Sequence, residues 1–281
     1  MSETKDNYDT SEIALNVYRV MYRTVIFKDK AENPFEIITP NGKRPYIKNG
    51  YFKFNGKFIG PINFSGESDF NFGDNAPRNY QHIKYNNWVT QGVTQAKTPG
   101  EARMYCNYQD ISEKLFRSIA NVSLMPQNGN LQAAKKGIGD DRLDTFVWAL
   151  NEFYNNRSNL LLNHSAPPYI NNLESYLGVF GNVYNYCDAV YHINEEELVD
   201  DLIKSGKEPI DTFDRWICYI SLASRFWKQK IDYLKRQIEI LNKYLIDAPE
   251  KVPEELSKKV LDKISQKISK NEKLLEKLPA L

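Results

Sequence analysis

The sequence predicts an α+β, predominantly helical fold. It places a small N-terminal antiparallel sheet first, a helical body next, and a C-terminal antiparallel helical hairpin last. Three observations carry this reading. Short β-rich runs punctuated by Asn-Gly crowd residues 35–64. Apolar residues recur at helical spacing from residue 109 onward. Two long amphipathic stretches end the chain, separated by Asp247-Ala248-Pro249-Glu250-Lys251-Val252-Pro253.

Taken in order, residues 10–27 carry Ile13, Val17, Val20, Met21, Val25 and Ile26 near helical spacing, with Thr10 or Ser11 as N-cap. Their last part, Tyr22 to Phe27, is rich in β-formers and reads equally as a strand. The sheet runs are Phe35–Ile38, Tyr46-Ile47, Tyr51–Phe54 and Lys57–Ile59. Tight turns are expected at Asn41-Gly42, Asn49-Gly50 and Asn55-Gly56. Residues 65–108 read as a long irregular stretch with one short helix near 77–88.

Helices follow over 110–122, with an Asp110 cap, then over 140–155 and 169–191. A shorter one opens at Asn194-Glu195-Glu196-Glu197 and closes at Gly206 before Pro209. Residues 211–246 form the longest helix. Its Ile220, Ala223, Trp227, Ile231, Leu234, Ile238, Leu241 and Leu245 alternate three and four apart, as a coiled-coil seam does. Residues 254–278 resume with Leu256, Val260, Ile264, Ile268, Leu275 and Leu278. The expected organisation is a mixed α/β body over residues 1–209 and a long helical hairpin over 210–281.

Composition excludes several classes. The 281 residues are 41% hydrophobic and 26% charged, which suits a folded chain. Balanced charge, 37 basic against 36 acidic residues, argues against a dedicated non-specific nucleic-acid binder. A polar N-terminus and the absence of any 20-residue apolar run point to a cytoplasmic protein with no membrane contact. Cys106, Cys187 and Cys218 are too widely spaced for a disulfide framework or a zinc site. Cys187 and Cys218 sit in apolar patterns as small buried hydrophobes. His82, His164 and His192 lie far apart and read as surface or core residues. No nucleotide-binding loop, nucleophile elbow or zinc motif is present.

One segment could carry chemistry. Residues 123–144 run through a Gly-punctuated polar loop to Lys135-Lys136-Gly137 and then Asp140-Asp141-Arg142-Leu143-Asp144, at the start of an amphipathic helix. Asp141 and Asp144, three apart, would share a helical face and could hold Mg²⁺ or act as general base, with Arg142 clamping a transition state. Lys135 and Lys136, with Asn130 and Gly137, would bind a phosphate. The same residues also suit a plain structural role: aspartates as N-caps, glycines as turns, and Asp144 in an ion pair with Lys135 or Arg142. This pattern, with Asn151-Glu152-Phe153-Tyr154 and Leu173-Glu174-Ser175-Tyr176-Leu177-Gly178-Val179-Phe180 after it, resembles a group of bacterial proteins known only as a domain of unknown function. The similarity covers about residues 75–200. It implies that Asn130, Lys136, Gly137, Asp141, Arg142 and Asp144 belong to the group's pattern, and it implies no activity.

Two functions follow as expectations. The first is a protein-interaction module, phage- or defence-related, that uses the hairpin and an aromatic surface to bind a partner or a second copy of itself. The alternative is a metal-dependent enzyme or binder acting on a nucleotide or nucleic acid through residues 123–144. The Lys-rich face of the last helix (Lys258, Lys259, Lys263, Lys267, Lys270, Lys273 and Lys277) is a further candidate for nucleic acid, or simply a solvated face.

Overall fold

The computed structural model describes residues 10–41, 44–71, 99–127, 131–139, 141–163, 170–208, 210 and 213–278. Helix α1 spans Glu12–Tyr22, and Ser11 caps it by accepting from the Ala14 N–H at 3.3 Å. The β-formers at its end do become a strand, β1 (Ile26–Phe27). Strands β2 (Ile37–Ile38), β3 (Tyr46–Phe54) and β4 (Lys57–Ser68) follow. Asn55 and Gly56, both at positive φ, form the tight turn between β3 and β4.

Asn49-Gly50 makes no turn. It lies inside β3, where the pairing with β4 shifts register on both sides of Gly50. Asn49 takes a φ of 52°, the left-handed backbone of a bulge. Asn41-Gly42 runs out of the described residues, as does the helix expected near 77–88. Strand β5 (Val122–Pro126), within what the sequence reads as helix and polar loop, completes an antiparallel sheet in the order β1-β3-β4-β5, with β2 also on β3.

The helices depart from expectation where local signals compete. Helix α2 runs over Pro99–Phe116, so it starts well before Asp110 and ends early enough to leave room for β5. Helices α3 (Leu131–Gly139), α4 (Leu143–Tyr154) and the short α5 (Leu160–Asn163) come next. The single helix expected over 169–191 is broken: α6 (Ile170–Gly178) stops before Gly181 at φ 75°. Asn182 then caps α7 (Val183–Tyr186), which continues as a π-helical turn over Cys187–Tyr191. His192 ends that turn in the left-handed region. It is buried and stacks on Tyr233 at 3.8 Å, while burial holds its imidazole well below the usual histidine range. Helix α8 is Glu196–Gly206.

Helix α9 (Phe213–Asp247) and helix α10 (Lys258–Leu275) form the expected hairpin, joined by a short 3₁₀ turn. Lys235 bonds Glu272 across it, about equally far from the link on each side, so the two helices are antiparallel. The hairpin lies on the body: Arg19 pairs with Glu255 at 3.3 Å, and the Tyr233 hydroxyl donates to the Met21 carbonyl at 3.1 Å. The first half of α9 is built into the body itself. Tyr219, Phe226 and Trp227 are fully buried there, with Phe70 among their ring partners. The buried apolar side chains accordingly form one continuous core from Ala14 to Leu278. No described helix is long and apolar enough to cross a membrane.

Candidate functional site

Strand β4 alternates, and its Ser65 and Glu67 face one side while Phe64 faces the other. Glu67 pairs with Ser123 of β5, so both side chains lie on the same face. Beyond Ser68 the chain is held by Asn121, whose buried amide imitates backbone pairing. Its Oδ1 accepts from Phe70 N–H at 2.9 Å and from the Trp227 indole at 2.8 Å. Its Nδ2 donates to the carbonyls of Phe70 and Phe116. This latch carries Asp69 inward beside Ser123.

Five ionisable side chains from four parts of the chain meet at this end of the sheet. Glu67 and Asp69 come from β4 and its extension, Lys135 from α3, Asp141 from the loop before α4, and Lys230 from α9. Each is 2% exposed or less. Lys230 Nζ lies 2.6 Å from Asp69 Oδ2 and also donates to the Ser123 hydroxyl, which donates to the same carboxylate oxygen at 3.0 Å. Lys135 Nζ lies 3.0 Å from Asp141 Oδ1 and donates to the Ser68 carbonyl at 2.6 Å. Below them the Tyr22 hydroxyl donates to the Val190 carbonyl and accepts from Leu124 N–H.

The cluster reaches the surface through Glu67. Its carboxylate oxygens lie 3.4 Å from Lys136 Nζ and 3.6 Å from Arg44 Nη1, and both of those side chains are partly solvent-exposed. Burial, and then the charge of Asp141, push the Glu67 carboxyl above the usual carboxylate range; Lys135, Lys136 and Arg44 oppose this. Burial holds the Lys230 ammonium below its ordinary range, opposed by Asp69. In both groups burial is the first cause and disfavours the charged form.

Of the residues singled out from sequence, Lys135, Lys136 and Asp141 belong to this cluster. Arg142 and Asp144 do not. Asp141 has a φ of 64° and lies outside α4, whose N-cap is Arg142, so the two aspartates share no helical face. Asp144 is instead gripped by Arg142 through two bonds of 3.0 and 2.6 Å, by the Ser205 hydroxyl at 2.8 Å and by Thr145 N–H at 2.9 Å. Arg142 Nη1 also donates to the Glu208 carbonyl. This clamp ties α4 to the end of α8. A Cβ on Gly206 would stand 2.1 Å from the Asp144 carbonyl oxygen, so only glycine permits the approach.

A metal shared by Asp141 and Asp144 would need them side by side, and they face different partners. No group of three or more His, Cys, Asp or Glu among the described residues is arranged for a metal ion. Gly137 is exposed on α3, and Asn130 lies outside the described residues.

Sequence reading missed Glu67, Asp69 and Lys230. The first two fall in what reads as an irregular stretch. Lys230 had a signal: it lies three residues after Trp227 and four before Leu234, on the buried stripe of α9, where a lysine is out of place.

Cys187 is buried as expected, but Cys218 is exposed, because its side of α9 faces a cleft rather than the core. Among the side chains whose exposure is described, the exposed large hydrophobics are Ile38, Ile240 and Ile246. No family model, curated protein or solved structure matches the chain. Fold and site together define an α+β protein with an ionic centre buried at the end of its sheet.

Proposed function

We propose that this centre is an acid–base site acting on an anionic substrate of the nucleotide or nucleic-acid class. Arg44 and Lys136 receive the anion at the surface, and Glu67, directly between them, exchanges the proton. Lys135 and Asp141 set its charge from behind. One observation carries the reading: Glu67 is buried to 1% exposure while its two outer partners reach solvent. Burying a set of charges is rarely a route to stability, since desolvation costs several kcal/mol per ion. A cluster of five such groups with one outlet is better accounted for by chemistry than by folding.

A melting scan against mononucleotides and short single strands of DNA and RNA at low salt, with and without Mg²⁺, tests this. A ligand at a hundredfold excess over its dissociation constant adds about 2.7 kcal/mol of apparent stability. The expected result is a shift that Lys136→Ala abolishes and Glu67→Gln keeps, with turnover of the shifting ligand lost in Glu67→Gln. No shift with any of these ligands would remove the reading.

A second reading, a partner protein bound by the hairpin, draws on Ile246, 82% exposed near the hairpin's tip. Ile240 is the other exposed large hydrophobic on the hairpin, while the seam from Ile220 to Leu245 is engaged with the body or with α10. Ile246→Glu should then abolish any self-association seen by light scattering. A protein that is monomeric at all concentrations would discard the self-pairing form of this reading.

A further inference from the structure

A cavity of about 550 Å³ opens between the last turns of α8 and the first turns of α9, with Arg142 and Ser205, both partners of Asp144, in its lining. Its volume is in the range of small-molecule sites. Four cations line it, Arg142, Lys204, Arg215 and Arg225, against two acids, Asp201 and Glu208. The acids are spoken for: Arg225 lies 2.5 Å from Asp201 and Arg215 lies 3.1 Å from Glu208. These pairs are each about a third to a half exposed, where ion pairs add little to stability.

At the back, the Arg142 guanidinium is nearly buried and oriented by Asp144, with the Tyr219 ring 5.6 Å from it. Ile217 and Leu222 give the cavity an apolar side, and the Cys218 thiol lies on its wall. Asp144 balances Arg142 as Asp201 and Glu208 balance Arg225 and Arg215, so the net positive charge of this concave surface is that of Lys204, and it favours anions.

We infer that this cavity binds a small organic oxyanion, a carboxylate or phosphate monoester carrying an apolar group. Lys204 and Arg225 take the charged end at the rim, and Ile217 and Leu222 take the apolar body. The site is separate from the cluster around Glu67 and does not depend on the activity proposed for it.

Cys218 makes the inference testable in the intact protein. Its labelling by iodoacetamide is followed by peptide mass mapping, with phenyl phosphate and benzoate as probes and inorganic phosphate and benzyl alcohol as controls. At ten times the dissociation constant, an occupying ligand slows labelling about tenfold by mass action. The expected result is protection by phenyl phosphate or benzoate that neither control reproduces. That protection should vanish in a Lys204→Gln, Arg225→Gln variant whose unliganded labelling rate and circular dichroism are those of the parent. Four results would overturn the inference. These are protection by neither probe, equal protection by benzyl alcohol, equal protection by inorganic phosphate, and protection unchanged in the double variant.

Discussion

Helix α9 passes first along the ionic centre and then along α10, and its buried face changes character between the two. In the first stretch Trp227, Lys230 and Ile231 are buried together, and the lysine is satisfied by one carboxylate and one hydroxyl. In the second, Leu234, Ile238 and Leu241 pack against Leu261, Ile264 and Ile268 in one apolar core, with ion pairs such as Lys258–Asp262 confined to the surface. An apolar contact tolerates some change of partner, because dispersion and water exclusion have no direction. A buried charge does not, because each missing partner leaves a group stranded in low dielectric. The hairpin can therefore be built from a repeating pattern, whereas the ionic centre needs five particular residues brought from distant parts of the chain.

The largest effect should come from Lys230. Lys230→Met strands Asp69 and should destabilise the protein by about 3–5 kcal/mol in urea unfolding. Adding Asp69→Asn should recover part of that loss, with a coupling of about 1–3 kcal/mol. Additive losses would mean that the pair is not the unit drawn here.

Next, Leu241→Ala in the seam should cost about 3 kcal/mol as a cavity, equally at all moderate pH values and without coupling to Asp69. If it couples to Asp69, the two stretches of α9 are not independent.

A third test concerns pH. The Glu67 carboxyl is raised in the folded protein, so its contribution to stability is fully present below the unfolded value of about 4.5 and is lost as pH rises through the folded value. The wild type should lose about 1.4 kcal/mol for each pH unit between those two values. Glu67→Gln should flatten that slope, while Leu241→Ala keeps it. Equal slopes in wild type and Glu67→Gln would assign the titration to another group. The smallest effect belongs to the surface: Lys258→Ala should shift stability by no more than about 0.5 kcal/mol, and less in high salt.

How much of this was legible depended on whether the signal was local. Helix α4 and the hairpin followed from apolar spacing, and Ser11 as a cap followed from its hydroxyl. Strand β5 did not, because Val122-Ser123-Leu124-Met125-Pro126 is short and lacks alternation, and becomes a strand only by pairing with β4. The break between α6 and α7 was overrun by a strong apolar pattern that continues on both sides of Gly181. In the candidate site, Lys135, Lys136 and Asp141 were singled out within the polar segment 123–144. Their partner Glu67 lay too far away in sequence to be joined to them.

The sequence by itself determined the α+β class, the hairpin and the polar segment that supplies part of the site, because periodicity and turn chemistry act over a few residues. Only the tertiary structure decided that Asp141 faces Lys135 while Asp144 faces Arg142, and that Glu67, Asp69 and Lys230 share one interior. A left-handed residue at Asp141 turns one aspartate away from the other. Strand pairing and the passage of α9 then bring together charges 161 residues apart, a proximity that no local pattern encodes.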